Sequence, residues 1–162
     1  MLIEAILGLT QHDWTLDVIG NPALDPSYSA RLRALAKGDA RIRFRGGVAP
    51  AALEGVWDEL DLLVVPSLWW ENSPLTVLEA LAAGVPVVAS RTGGVPEVLP
   101  QDAGALVPPG DVNALRSALA DVLEGRLLAG ALAPLPLKTA ALGARELAAL
   151  YSALSAAGGQ RR

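Results

Sequence analysis

The chain of 162 residues has no cysteine, one histidine, one methionine and one phenylalanine. Without cysteine, disulfides and thiolate metal sites are excluded. His12, the single histidine, sits between a helix and a strand and reads as a solvated turn residue, so neither a catalytic triad nor a metal cluster is expected. Charged residues are scarce at 19%, and a net charge of −4 argues against nucleic acid as a main partner. Long apolar runs are lacking too. Pro, Gly or a charge breaks each one well before the ~18 residues that a membrane helix requires. The N-terminus lacks a basic region and a cleavage site, so export by a signal peptide is not expected. What is present is apolar. Hydrophobic residues make up 52% of the chain, enough for one ordinary domain with its own core and too much for disorder over most of the length. There is no internal repeat.

The most informative stretch runs from Asp61 to Ser90. Leu62 to Val65 is a short apolar run rich in β-branched residues, as suits a parallel strand buried on both faces. Pro66 ends it. Ser73 is a good N-cap and Pro74 fits the first helical position, so a helix is predicted from there to Gly84, a natural stop. Leu75, Leu78, Leu81 and Ala82 form its expected buried stripe, which leaves Glu79 beside the stripe and Glu71 just ahead of the helix. A helix start offers unpaired N–H groups and partial positive charge, where a phosphate can settle without a basic side chain. Carboxylates beside it suit sugar hydroxyls, a ribose diol for Glu79 and hexose hydroxyls for Glu71. Trp69 and Trp70 precede Glu71; one is expected to pack under the loop and the other to line the cleft beside it, with at least one buried.

Elsewhere the chain alternates between helix and strand. A helix opens it through Leu2, Ile3, Ile6, Leu7 and Leu9. Leu16 to Ile19 is a strand ending at the Gly20-Asn21-Pro22 turn, and Ser27 to Ala36 a helix capped by Ser27 or Asp25. Arg41 to Arg45 alternates as a strand ending at Gly46-Gly47-Val48, beyond whose carboxyl end Arg45 to Val48 could rest a nucleobase. A solvated face of Arg41, Arg43 and Arg45 is the alternative there. Ala51 to Leu60 is a helix whose Trp57 belongs to the core. Val85 to Ala89 is the next strand, Arg91 to Gly94 a flexible turn, and Pro96 to Leu99 a short helix. Gly104 to Val107 is the last strand, and Asp111 caps a helix to about Glu124. The expected domain therefore spans residues 1–124, with a loop at 125–136, a C-terminal helix at 137–157 packing on it, and a tail at 158–162.

The segment ENSPLTVLEALAAGVPVVAS, with TGGVPEVL and GALVPPGD after it, resembles the C-terminal half of the group 1 glycosyltransferases, which are retaining, nucleotide-sugar-dependent enzymes of the GT-B fold. The resemblance covers roughly Leu2 to Leu123. It implies a Rossmann-like, doubly wound parallel sheet of the α/β class. It also implies a donor-binding set of Glu71, Asn72, Ser73, Leu75, Thr76 and Glu79, with Glu71 in the catalytic role and Arg45 and Val48 at the nucleobase. The donor would be a nucleotide diphosphate sugar, with no metal and no other cofactor. In the family a strand precedes the opening helix and leads into a loop whose Arg and Lys grip the diphosphate. No residue here stands in for them by position, so activity is expected to need the N-terminal domain or a second chain, and a homodimer through the vacant sheet edge is one such arrangement. The acceptor stays open. The alternative reading is a non-catalytic nucleotide-binding or interaction module, a remnant or fragment acting through a partner chain. The expected location is cytoplasmic, with peripheral association at the inner membrane face left open.

Overall fold

A computed structural model describes residues 1–127, 132–136 and 138–159. The chain opens with helix α1 (Leu2–Leu7) and strand β1 (Leu16–Ile19), followed by α2 (Pro26–Ala36) and β2 (Ile42–Gly46). A 3-10 turn (Pro50–Ala52) runs into α3 (Leu53–Trp57), and then come β3 (Leu63–Val65), α4 (Leu75–Ala82) and β4 (Val87–Ser90). Helix α5 (Val95–Val98), β5 (Gly104–Val107), α6 (Val112–Leu123) and α7 (Ala140–Gly159) complete it.

All strand pairings among the described residues are parallel. They fall into two ladders, β1–β2 and β3–β4–β5. Side chains alternate along each strand, so each ladder has two faces. On the first face Val18, Ile42, Phe44, Val64, Val88, Ala105 and Val107 join one core with α1, α2 and α6. On the second, Leu63, Val65, Val87, Ala89 and Leu106 join a separate core with α3, α4 and α5. Helices on both faces of parallel strands make the expected doubly wound α/β arrangement. Strand β4, paired on both sides, is buried at all four residues. Strand β3, expected to be buried on both faces, is only half-buried because it pairs on one side alone. Strand β1 is half-buried for the same reason.

Local chemistry accounts for most boundaries. Asp25, not Ser27, caps α2: its carboxylate accepts the Tyr28 N–H at 2.8 Å and the Ser27 hydroxyl at 2.7 Å. Asp111 caps α6 by accepting the N–H groups of Asn113 and Ala114 at 3.0 and 2.9 Å. Gly84 ends α4 with φ +77°, a region that L side chains rarely adopt. The helix expected over Ala51 to Leu60 is shorter, since it begins as a 3-10 turn and stops at Trp57. Trp57 itself is partly buried against the second core. His12 is not a solvated turn residue. Its Nε2 lies 2.9 Å from Glu124 Oε1, joining the segment before β1 to the end of α6.

The buried stripe of α4 also differs from expectation. Val77, Ala80 and Leu81 are buried, whereas Leu75 is 67% exposed and Ala82 is exposed as well. Pro74, Val77, Ala80 and Leu81 follow one another at helical spacing, and the small Ala80 lets the helix seat closely on the sheet. Of the loop at 125–136, residues 128–131 lie outside the described ones. Leu132 and Leu135 pack on the second core, and the Leu135 N–H donates to the Leu81 carbonyl at 2.9 Å. Helix α7 does not bury its apolar residues as expected: Leu142, Leu147, Leu150, Tyr151 and Leu154 are all exposed. The tail expected from Gly158 is helical to Gly159, and residues 160–162 lie outside the described ones.

Candidate functional site

The candidate site is the loop between β3 and α4 with the first two turns of that helix. Pro74 holds extended backbone at φ −70° and stands immediately before α4, so it is the cap position and not the first helical residue. Ser73 does not cap the helix, and no other side chain among the described residues does. The Pro74 carbonyl accepts from the N–H groups of Val77 at 3.0 Å and Leu78 at 3.3 Å. The amides of Leu75 and Thr76 have no such partner among the described residues. These orphan donors carry the positive end of the helix dipole.

Two carboxylates bracket them. Glu71 is half-buried, and its Oε1 accepts the hydroxyl of Ser67 at 2.6 Å. Ser67 is 5% exposed and stands two positions beyond the end of β3, after Pro66. Glu79 is exposed in the second turn of α4 and lies one turn beyond Leu75 on the same side of the helix. Asn72, Ser73, Leu75 and Thr76 are exposed at the mouth. The chain order thus brings together six of the expected residues: Glu71, Asn72, Ser73, Leu75, Thr76 and Glu79.

Arg45 and Val48 belong to the other ladder, at and beyond the end of β2. The Arg45 guanidinium donates to Asp17 at 3.1 Å and to Glu59, so it is held within a charge network. Arg43 donates to both oxygens of the same Asp17 carboxylate, at 2.6 and 3.0 Å. Burial pushes the Asp17 carboxyl up, but the hydrogen bonds and charges of Arg43 and Arg45 outweigh it and hold the group below the usual carboxylate range. The side chains of Arg43 and Arg45 therefore form a paired face and not a merely solvated one. Val48 is half-buried.

Trp69 and Trp70 are both exposed, at 67% and 83%, which corrects the expectation that at least one is buried. The loop is anchored through its backbone instead. The Trp69 carbonyl accepts the Thr92 hydroxyl at 3.1 Å, and the Glu71 carbonyl accepts the Gly94 N–H at 2.7 Å. The turn at Arg91 to Gly94, read as flexible, is thus clamped to the loop. Thr92 and Gly94 lie in the TGGVPEVL segment that carries the resemblance, but their contacts with the loop, like that of Ser67, were not read, because they span four to twenty-three positions and leave no local pattern. Ser90, at the end of β4, is 1% exposed and its hydroxyl has no partner among the described residues.

Comparison with known proteins follows the same outline. The family model described as glycosyl transferases group 1 matches residues 1–125. A sulfoquinovosyl transferase of Arabidopsis thaliana is 36% identical over 106 residues, which cover 63% of this chain and 20% of that protein. A D-inositol 3-phosphate glycosyltransferase of Corynebacterium efficiens is 33% identical over 132 residues, covering 76% of this chain and 31% of that one. The chain therefore spans between a fifth and a third of the length of these relatives. Among solved structures, the C-terminal domain of a group 1 family glycosyl transferase, LpcC from Francisella tularensis, superposes with a TM-score of 0.63 at 27% identity. That match covers 79% of this chain and 70% of the other.

Proposed function

From the premise that this chain belongs to the group 1 glycosyl transferases, with the α/β fold of their GT-B members, we propose that it is the donor-binding domain of a retaining enzyme. That enzyme moves a sugar from a nucleotide diphosphate sugar to an acceptor hydroxyl. The observation that carries the proposal is the pair of unpartnered amides, Leu75 and Thr76, set between Glu71 and Glu79. The diphosphate rests on those amides, where N–H groups and the helix dipole favour negative charge. Glu79 accepts the ribose diol, and Glu71 accepts hydroxyls of the transferred sugar beside Asn72 and Ser73. The base lies toward Val48 and the backbone after Arg45, whose side chain is already engaged.

Chemistry of this class is mainly stabilisation of the departing diphosphate and orientation of the acceptor. No metal or other cofactor enters the proposal. Titration calorimetry with uridine and guanosine diphosphates and their sugar conjugates tests it. The expected result is binding at about millimolar or tighter, ~4 kcal/mol, that Glu79→Ala abolishes. Binding that Glu79→Ala leaves unchanged sinks the assignment.

A second reading is favoured by one observation, that among the described residues β1 and β3, like β2 and β5, each pair on one side only. An unpaired edge is a template for another strand. On this reading the chain is a binding module completed by a partner chain, either the N-terminal domain of the enzyme or a second copy joined through that edge. Light scattering that reports a monomer at every concentration removes the homodimer.

A further inference from the structure

We propose that the turn Thr92-Gly93-Gly94 is a positioning element for Glu71, and that its two glycines set how well the site tells a nucleotide sugar from the bare nucleotide. The proposal rests on the reading of Glu71 as the residue that meets the donor sugar. Three contacts fix this residue. Its carbonyl accepts the Gly94 N–H at 2.7 Å, the carbonyl two residues earlier accepts the Thr92 hydroxyl at 3.1 Å, and its Oε1 accepts the Ser67 hydroxyl at 2.6 Å. Its Oε2 makes no hydrogen bond among the described residues and is free for a ligand hydroxyl.

Side chains at the turn are incompatible with that grip. A Cβ on Gly93 would lie 1.8 Å from the Glu71 carbonyl oxygen and 2.7 Å from its nitrogen, and one on Gly94 would lie 2.2 Å from the Asn72 carbonyl oxygen. The obstacles are backbone atoms, so only movement of the loop itself could relieve them. Gly38, Gly46 and Gly125 also have positive φ, yet a Cβ there would meet nothing within 4 Å. Those three serve local turns. Gly93, at φ +54°, serves a contact twenty-two positions away. Hydrogen bonds weaken steeply with distance and angle, so a shifted Glu71 backbone loses the sugar hydroxyl first. The diphosphate, held by amides of α4, is affected less.

The test uses the full chain, with amide exchange followed by nuclear magnetic resonance and calorimetry with uridine diphosphate and its glucose conjugate. In the wild type the Gly94 amide is expected to exchange at least about tenfold more slowly than an unprotected amide. Gly94→Ala is expected to shift the Glu71 and Asn72 amide signals and to reduce the advantage of the conjugate over uridine diphosphate by about tenfold. Affinity for uridine diphosphate itself should stay within about twofold. Thr92→Val, which keeps the shape and loses the hydroxyl, should move both readouts in the same direction by less, and it carries the test if Gly94→Ala does not fold. A merely structural role would weaken both ligands alike. Equal weakening, or an undiminished advantage in both variants, overturns the proposal, as does an unprotected Gly94 amide. If the wild-type chain binds both ligands equally while Gly94 is protected, the clamp stands. In that case the sugar-contact role of Glu71 has failed, and with it the discrimination assigned to the turn.

Discussion

The two ladders are built from the same parallel pairing but held by different forces. The β3–β5 ladder is apolar on both faces, and its second face seals against Val77, Leu81, Val95 and Leu99. The β1–β2 ladder is apolar on one face only. Its other face carries Asp17 between Arg43 and Arg45, with Glu59 closing the network. Arginines also cover the aromatic residues in and beside it: Arg41 lies 3.8 Å from the centre of the ring of Trp14, just before β1, and Arg33 lies 4.4 Å from that of Phe44 in β2. Area burial carries no charge to titrate or screen, whereas exposed charge responds to pH and is screened by salt. The candidate site hangs from the apolar ladder, so its frame should be indifferent to conditions that loosen the other.

The largest effect should come from emptying the core that α4 forms against the apolar ladder. Leu81→Ala removes a side chain only 1% exposed, and loss of such a group costs about 2–5 kcal/mol. Leu16→Ala, the same deletion on half-buried β1, should cost less. Urea denaturation of both variants measures the difference, provided the slope of the transition is unchanged. Equal losses would break the comparison, because the two ladders would then share one level of burial.

This contrast explains which features were legible in the sequence. Strands such as Leu16–Ile19 and Gly104–Val107 and the Asp111 cap depend on residues close in the chain, and they lie where the pattern puts them. The placement of Glu71 before α4 and Glu79 within it follows from the same local signals. Orientation was less legible. The expected stripe along α4 is the more apolar one, with three leucines, yet the face that packs on the second core is that of Val77, Ala80 and Leu81, so hydrophobicity alone did not fix the rotation of the helix. Long-range contacts left no trace at all. The Asp17 pairing with Arg43 and Arg45 spans 26 and 28 positions, and nothing within either segment announces the other. The same holds for the grip of Gly94 on Glu71.

The charged ladder should yield a smaller, pH-dependent effect. Asp17 is held below the usual carboxylate range, and Asp39 is lowered to about 2 by the Arg41 side chain and then by the Arg41 N–H. Both groups bind protons less readily folded than unfolded, where a carboxyl titrates near ~3.9. They therefore stabilise the fold above that value, and the contribution is lost as pH falls from about 4 toward 2. Asp17→Asn should cost about 1 kcal/mol at neutral pH, since Arg43 is 57% exposed and water screens the pair. It should also narrow the gap in stability between pH 6 and pH 3, which Leu81→Ala should leave as it is. Denaturation midpoints at the two pH values decide this. An unchanged gap in the Asp17 variant would mean that the acid sensitivity resides elsewhere.

The smallest effect is expected at the most conspicuous side chain. A tryptophan normally contributes strongly to a core, yet Trp70 is 83% exposed on the loop that carries Glu71. The contacts that hold this loop run through the carbonyls of Trp69 and Glu71 and through Ser67, and none involves the indole of Trp70. Its removal should leave all of them in place. Trp70→Ala should accordingly change stability by no more than about 0.5 kcal/mol, as for substitutions at other exposed sites. Thermal denaturation measures it. A loss comparable to that of Leu81→Ala would place the indole inside the apolar ladder's core, and the loop would then be held by packing and not by its backbone.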